Sequence, residues 1–144
     1  KTMKLVKIKS NIDKFTYDLS SNPDLAQTIS VTCLGLGCSC NLKGLHTLKI
    51  KETDRLIALR NELSKFGLKV KINEDSIFFT TNKDFLKPNV MIETYDDHRM
   101  AMSFTPLSVL MPIKINDPQV VSKSYVCFWD DLEKLGFKIS KINR

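Results

Sequence analysis

Two stretches of this 144-residue chain repeat the pattern of a helix end followed by a strand. Residues 63–70 read LSKFGLKV, and residues 132–139 read LEKLGFKI. In each stretch a glycine stands where a chain commonly leaves a helix. Self-similarity of this kind is typical of a repeated supersecondary unit. The repeat therefore predicts an α/β (α+β) fold assembled from related units of strands and helices.

The first unit, roughly residues 15–80, alternates segments with the hydrophobic periods of strands and helices. Its predicted strands are residues 15–19, 39–45, 69–73 and 77–80. A further strand is predicted at residues 5–9, before the unit begins. Its predicted helices run over residues 25–36 and from Thr53 or Asp54 to about residue 66. Gly35 and Gly37 are expected to end the first helix and Gly67 the second. The last two strands are predicted to pair as a hairpin.

The second unit, roughly residues 90–140, begins in the same way but stops early. Its predicted strands are residues 90–94, 112–115 and a segment after residue 136, and its helices start at Asp96 or Asp97 and at about residue 125. Pro106 predicts a kink or an early end of the first of these helices. There is no room for a closing hairpin strand. Residues 1–144 are therefore expected to form a partial single domain, completed by sequence outside the chain.

Composition narrows the classes of partner. The chain carries 22 basic and 16 acidic residues, a net charge of +6, which favours anionic partners. The aromatic residues form no recognisable stacking motif, so nucleic acid is not expected as a partner. The sequence contains no apolar run of membrane-spanning length, and its four cysteines lack the spacing of a zinc site. We expect a cytoplasmic protein with reduced thiols, no membrane partner and no metal.

The segment from Lys51 to Arg55 is the densest group of charges at a predicted helix start. Glu52 and Arg55 lie three residues apart, which makes them neighbours at the beginning of a helix. One interpretation is an exposed ion pair worth about 0.2–1 kcal/mol. The other is an anion site in which Lys51 and Arg55 bind the anion and Glu52 transfers a proton.

Three further helix starts carry residues of the same kind. Asp96 or Asp97 caps a helix, and His98 and Arg99 follow, with a forked donor suited to a carboxylate or phosphate. Asp24 precedes the first helix and Lys123 the last. Each residue alone is equally consistent with helix capping, a dipole interaction or a solvated charge. Their shared position at helix starts predicts one site for anion recognition or proton transfer.

Five segments together resemble the 5-enolpyruvylshikimate-3-phosphate synthases, the 3-phosphoshikimate 1-carboxyvinyltransferases of aromatic amino-acid biosynthesis. The segments are NPDLAQT at residues 22–28, IKETDRL at 50–56, YDDHRMAM at 95–102, DP at 117–118 and SKS at 122–124. Their order and spacing are similar to those of the C-terminal third of that family. The resemblance implies a two-domain enzyme with the active site between its domains. Each domain would be an inside-out α/β barrel of βαβαββ units.

The resemblance also implies a reaction and roles for residues. The enolpyruvyl group of phosphoenolpyruvate passes to the 5-hydroxyl of shikimate 3-phosphate, and phosphate is released without a cofactor. Asp24 would take the hydroxyl proton, and Glu52 would give a proton to the methylene carbon. The implied substrate-binding residues are Arg55, Arg99 and Lys123 for phosphoenolpyruvate, with His98 beside them, and Lys51 on the shikimate side.

Two other functions fit parts of the pattern. The enolpyruvyl transferase that acts on UDP-N-acetylglucosamine shares the fold and chemistry, although the motifs around Lys51 and Arg99 favour the shikimate enzyme. A non-catalytic module could also hold a small anion at the helix starts. As one wall of a two-walled site, the chain is expected to be inactive without the missing N-terminal part of the same enzyme.

Overall fold

The structure is a computed structural model that describes residue 3 and residues 12–51, 53–82, 84 and 86–142. Its helices are α1 (Ala26–Leu36), α2 (Arg55–Ser64), α3 (His98–Phe104) and α4 (Phe128–Lys134). Its strands are β1 (Lys14–Asp18), β2 (Ser39–Lys43), β3 (Lys71–Ile72), β4 (Ile77–Phe79), β5 (Val90–Ile92) and β6 (Ile113–Ile115). The predicted strand at residues 5–9 and the candidate acid Glu52 lie outside the described residues.

Four strands of the first unit form one sheet in the order β1-β2-β4-β3. β1 and β2 are parallel, with Lys14 opposite Ser39 and Asp18 opposite Lys43. A parallel pair needs a crossover connection, and α1 provides it. β4 runs antiparallel to both β2 and β3, so the predicted hairpin is confirmed. Buried side chains of α1 and α2 pack with those of the sheet in one hydrophobic core.

The second unit repeats the parallel pair but not the hairpin. β5 and β6 pair in parallel, with Val90 opposite Ile113, and α3 lies in the connection between them. The strand expected after residue 136 is not formed, since the described residues 137–142 are irregular. In the first unit the corresponding segment becomes β3 by pairing with β4. A strand needs a neighbouring strand to pair with its backbone N–H and C=O groups. The described residues supply no such neighbour after α4, so this segment stays irregular.

Helix ends largely follow local signals. Gly37 adopts φ 69° and its N–H donates to carbonyls of the last turn of α1, whereas Gly35 lies inside the helix. The expectation that Gly35 also ends α1 is therefore wrong. A Cβ on Gly35 would lie 3.1 Å from Leu107 Cδ2, so glycine allows α1 to approach this neighbour closely. α3 ends at Phe104, and Pro106 is the second residue of a 3₁₀ helix, Thr105–Val109, which confirms the predicted early end.

The core lies between the sheet and the helices. Its fully buried side chains include Leu34 of α1, Leu59 of α2, Phe79 of β4 and Phe104 of α3. A smaller apolar cluster joins α3 to the 3₁₀ helix Pro118–Lys123. Because three helices share this packing, the starts of α1, α2 and α3 are held near one another. Among the described residues, no helix has the length and hydropathy of a membrane-spanning segment.

Candidate active site

The carboxylate of Asp24 is surrounded by three cations. Asp24 lies in the 3₁₀ turn Pro23–Leu25 just ahead of α1. Its Oδ1 is 2.9 Å from Arg55 Nη1 and 3.4 Å from Lys51 Nζ, and its Oδ2 is 3.2 Å from Arg99 Nη2. Arg55 and Arg99 reach it from the starts of α2 and α3, and Lys51 reaches it from the segment just before α2. We call these four residues the Asp24 cluster.

Arg55 occupies the floor of the Asp24 cluster. Its side chain is only 2% exposed, although it is the first residue of α2. A guanidinium stays charged when it is buried, so a partner of opposite charge is needed to offset the cost of removing it from water. The fully buried Asp97 provides this pairing, since its Oδ2 accepts a 2.6 Å hydrogen bond from Arg55 Nε. The interpretation of Arg55 as part of an exposed surface pair is therefore wrong.

Asp97 also begins α3. Its Oδ1 accepts a hydrogen bond of 2.8 Å from the backbone N–H of Arg99, which makes Asp97 the N-cap. Its Oδ2 is 3.4 Å from Gln27 Nε2 of α1. Gln27 is fully buried, and its Oε1 has no hydrogen-bond partner among the described residues. One carboxylate thus connects the beginnings of three helices.

The turn before Asp97 has an unusual backbone. Tyr95 and Asp96 both have positive φ angles, 55° and 56°, a region that side-chain-bearing residues seldom adopt. Tyr95 Oη donates a 2.8 Å hydrogen bond to the buried carboxylate of Glu62 in α2. Burial and this hydrogen bond raise the pKa of Tyr95. Strained turns of this kind persist where neighbouring contacts hold them, and they are common at functional sites.

Lys123 binds the same turn rather than Asp24. Its Nζ is 2.6 Å from Asp96 Oδ1 and 2.9 Å from the Asp96 carbonyl oxygen. Lys123 ends the 3₁₀ helix Pro118–Lys123, which Trp129 of α4 anchors by donating from Nε1 to the Pro118 carbonyl oxygen at 2.9 Å. Lys123 therefore forms an ion pair with Asp96, on the turn that precedes α3.

His98 and Arg99 line a cavity of about 270 Å³. Its other lining residues are Thr28, Met102, Ser103 and Ser124. Hydroxyl groups, an imidazole and a guanidinium can all donate hydrogen bonds, which suits a small anion. A larger cavity of about 390 Å³ contains Lys49, Ile72 and Glu74 in its lining, but none of the predicted site residues. The smaller cavity is therefore the better candidate for a binding site.

The structure brings together most of the residues predicted from the sequence. Asp24, Lys51, Arg55 and Arg99 form one cluster, His98 shares a cavity with Arg99, and Lys123 lies on the adjoining turn. The hydrogen bonds of Asp97 to Arg55 and Gln27 were not predicted. The only local signal was the capping position of Asp97, since its partners lie 42 and 70 residues away in the chain.

The described residues contain no group of three or more histidine, cysteine, aspartate or glutamate side chains that could hold a metal ion. Cys33, Cys38 and Cys40 are buried free thiols, and Cys127 is an exposed one. Hydrogen bonding with Cys40 and burial raise the pKa of the Cys33 thiol. Cys33, Cys38 and Cys40 belong to the hydrophobic core, and the Asp24 cluster contains none of the four thiols.

A family model and curated relatives both match this chain, and they indicate the same family. The family model for EPSP synthase (3-phosphoshikimate 1-carboxyvinyltransferase) matches residues 1–132. A 3-phosphoshikimate 1-carboxyvinyltransferase of Bacteroides fragilis is 44% identical over 139 residues, covering 93% of this chain and 34% of the relative. One of Neisseria meningitidis serogroup C is 39% identical over 125 residues, covering 86% of this chain and 29% of the relative. The chain thus spans about a third of the length of these curated relatives.

A solved structure supports the same assignment. EPSP synthase from Acinetobacter baumannii matches with a TM-score of 0.70 and 26% identity, over 82% of this chain and 28% of that chain. This match confirms the predicted mixed α/β fold class, that of the enolpyruvyl transferases. With a matching family model over most of the sequence, the chain belongs to the EPSP synthase (3-phosphoshikimate 1-carboxyvinyltransferase) family.

Proposed function

We propose that the protein transfers the enolpyruvyl group of phosphoenolpyruvate to the 5-hydroxyl of shikimate 3-phosphate and releases phosphate. The observation that carries the proposal is the Asp24 cluster, in which two arginines at the starts of α2 and α3 and the nearby Lys51 converge on one carboxylate. Family membership supports the same reaction. The chain would supply one wall of the active site, and the rest of a two-domain enzyme would supply the other.

The charges of the Asp24 cluster suit these substrates. Phosphoenolpyruvate and shikimate 3-phosphate each carry a carboxylate and a phosphate, so they repel one another unless fixed cations lie between them. Arg55 and Arg99 have forked donors that match such groups. In the chain they hold the carboxylate of Asp24, which is the same chemical group. We expect Arg55, Arg99 and Lys123 to bind phosphoenolpyruvate, with His98 beside them.

Asp24 and Glu52 would move the protons. The oxygen of the 5-hydroxyl group would attack C2 of phosphoenolpyruvate, and Asp24 would accept the proton that this hydroxyl group loses. Glu52 would donate a proton to the methylene carbon, which becomes a methyl group in a tetrahedral intermediate. The Glu52 carboxylate would then take a proton back from this methyl group as the C–O bond to phosphate breaks, and the double bond would re-form. Lys51, 3.4 Å from Asp24, would contact the shikimate side. The chemistry requires positioned acids and cations and no cofactor.

The proposal extends to organisation and location. We expect residues 1–144 to be part of one domain, with units at roughly residues 15–80 and 90–140, in a cytoplasmic enzyme. The N-terminal part of the same enzyme would be the partner that completes the site. Closure of the two domains would exclude water from the substrates and strengthen the ionic contacts of the Asp24 cluster.

Glu52→Gln separates catalysis from simple anion binding. In the full-length protein we expect Glu52→Gln to bind phosphoenolpyruvate with nearly unchanged affinity by calorimetry, because the cations remain. Phosphate release should fall by about 100-fold or more, because the proton donor is lost. Glu74→Gln is the matched control. The Glu74 side chain is 95% exposed, and it forms an ion pair with Lys49, which lies outside the Asp24 cluster.

Three results would contradict the proposal in different ways. Unchanged phosphate release by Glu52→Gln would remove the proposed acid. Binding of phosphoenolpyruvate without any turnover in the unsubstituted protein would favour a non-catalytic anion-binding module. Turnover with UDP-N-acetylglucosamine in place of shikimate 3-phosphate would indicate the sister enolpyruvyl transferase.

A further inference from the structure

The buried Asp97 carboxylate holds both arginines of the Asp24 cluster. Its Oδ2 accepts from Arg55 Nε at 2.6 Å, and Arg55 Nη2 lies 3.4 Å from its Oδ1. The same Oδ1 accepts from the backbone N–H of Arg99 at 2.8 Å. Asp97 is fully buried, so its carboxylate contacts these protein groups and is shielded from solvent. The two arginines therefore share one internal anchor.

The geometry of the guanidinium makes this anchor directional. A guanidinium is planar, with its five N–H groups in a fixed fork. Once Asp97 holds the Nε and Nη2 side of Arg55, the direction of Nη1 is set, and Nη1 lies 2.9 Å from Asp24 Oδ1. The charge of Asp97 also compensates the buried positive charge of Arg55.

We propose that Asp97 is a positioning residue, which orients Arg55 toward phosphoenolpyruvate and compensates its buried positive charge. This inference rests on the proposed function. The capping of α3 is a separable role, because asparagine and serine also cap helices. A carboxylate differs from both in accepting from Nε and Nη2 together while supplying a negative charge.

A double-mutant cycle tests the proposal in the full-length protein. Asp97→Asn keeps the size and the capping ability of the side chain but removes its charge. We expect kcat/KM for phosphoenolpyruvate to fall by about 10- to 100-fold, mainly through KM, because Arg55 is no longer oriented. In an Arg55→Gln background, Asp97→Asn should lower kcat/KM by no more than about threefold further, because the shared contact is already absent.

A second readout requires no turnover. The Arg55 Nε–H should exchange slowly with solvent in the ligand-free protein, as measured by ¹⁵N NMR, and Asp97→Asn should remove this protection. Thr105→Val is the control, since it removes a buried hydrogen bond to the Ala101 carbonyl oxygen at the far end of α3. This variant should leave the Arg55 signal protected.

The outcomes separate this inference from the proposed function. Additive losses in the cycle, or a protected Arg55 Nε–H that persists in Asp97→Asn, would overturn the role of Asp97. Absence of phosphate release from the unsubstituted protein would overturn the proposed function. The NMR readout would then still decide whether Asp97 orients Arg55.

Discussion

Tyr95 and Glu62 lie 33 residues apart in the chain, and the Tyr95 hydroxyl donates a hydrogen bond of 2.8 Å to the Glu62 carboxylate. The carboxylate also accepts from Lys65 Nζ at 2.6 Å and from the backbone N–H of Glu93 at 3.0 Å. Since Tyr95 has φ 55°, these contacts hold a strained residue two positions before Asp97. The turn that begins α3 is thereby tied to α2.

Tyr95→Phe tests whether the hydrogen bond from Tyr95 to Glu62 stabilises the fold. The substitution removes the hydroxyl and one of the hydrogen bonds that satisfy the buried Glu62. We expect the free energy of unfolding to fall by about 1–3 kcal/mol, because a buried acceptor loses a partner. Urea unfolding of the two proteins measures this difference. Tyr17→Phe, at an exposed position in β1, is the control and should change stability little. Equal stability of Tyr95→Phe and the unsubstituted protein would contradict the proposed tie.

The pH dependence of stability gives a second test of Tyr95. Burial and the hydrogen bond to Glu62 raise its pKa above 10.0, the ordinary tyrosine value. The unfolded chain therefore loses this proton at lower pH than the folded chain does. The stabilisation from Tyr95 is complete below pH 10 and declines as pH rises toward the folded-state pKa. The difference in unfolding free energy between the unsubstituted protein and Tyr95→Phe should shrink above pH 10. A difference that grows would contradict the sign of the shift.

Gly44→Ala is expected to be strongly destabilising. Gly44 has φ 76°, and a Cβ there would lie 2.4 Å from Ser20 N and Oγ and 2.7 Å from Asp18 Oδ1. Backbone strain alone would cost about 1–3 kcal/mol, and the collision with backbone adds to it. Gly136→Ala is the matched control, since Gly136 has φ 96° but no atom within 4 Å of a Cβ. Thermal unfolding should rank Gly44→Ala well below Gly136→Ala, and the reverse order would contradict the described packing.

The four thiols should react at different rates. Cys127 is exposed, whereas Cys33, Cys38 and Cys40 are buried. Burial raises the pKa of Cys38, which further lowers its thiolate fraction. We expect iodoacetamide to modify Cys127 first in the native protein, as followed by peptide mass spectrometry, and all four thiols at similar rates in urea. Modification of Cys38 as fast as Cys127 in the native protein would contradict the described burial.

Local signals in the sequence were sufficient for several helix ends, although Gly35 lies inside α1 and α2 ends at Ser64, before Gly67. Asp54 and Asp97 cap α2 and α3 through their side chains, and Gly37 ends α1 in the left-handed conformation. Each of these signals depends on hydrogen bonds within a few residues, so the chain need not be folded to interpret it. Pro106 ended α3 for the same reason, since proline removes a backbone donor.

Contacts between distant segments could not be predicted in this way. The spacing of Glu52 and Arg55 is equally compatible with an exposed pair, and the burial of Arg55 depends on Asp97, 42 residues away. The strand expected after residue 136 has the right pattern but lacks a partner in the described chain. The positive φ of Tyr95 has no signature in its side chain and depends on Glu62. The residues of the Asp24 cluster were grouped by their shared position at predicted helix starts, and the resemblance to a family implied their individual roles.

We propose that the Asp24 cluster belongs to an enzyme that releases phosphate from phosphoenolpyruvate only when shikimate 3-phosphate accepts the enolpyruvyl group. The most direct measurement is phosphate release by the full-length protein, with and without shikimate 3-phosphate, for the unsubstituted protein and for Asp24→Asn. We predict release that requires shikimate 3-phosphate and falls by about 100-fold or more in Asp24→Asn. No release from the well-folded unsubstituted protein, or equal release in Asp24→Asn, would contradict the account.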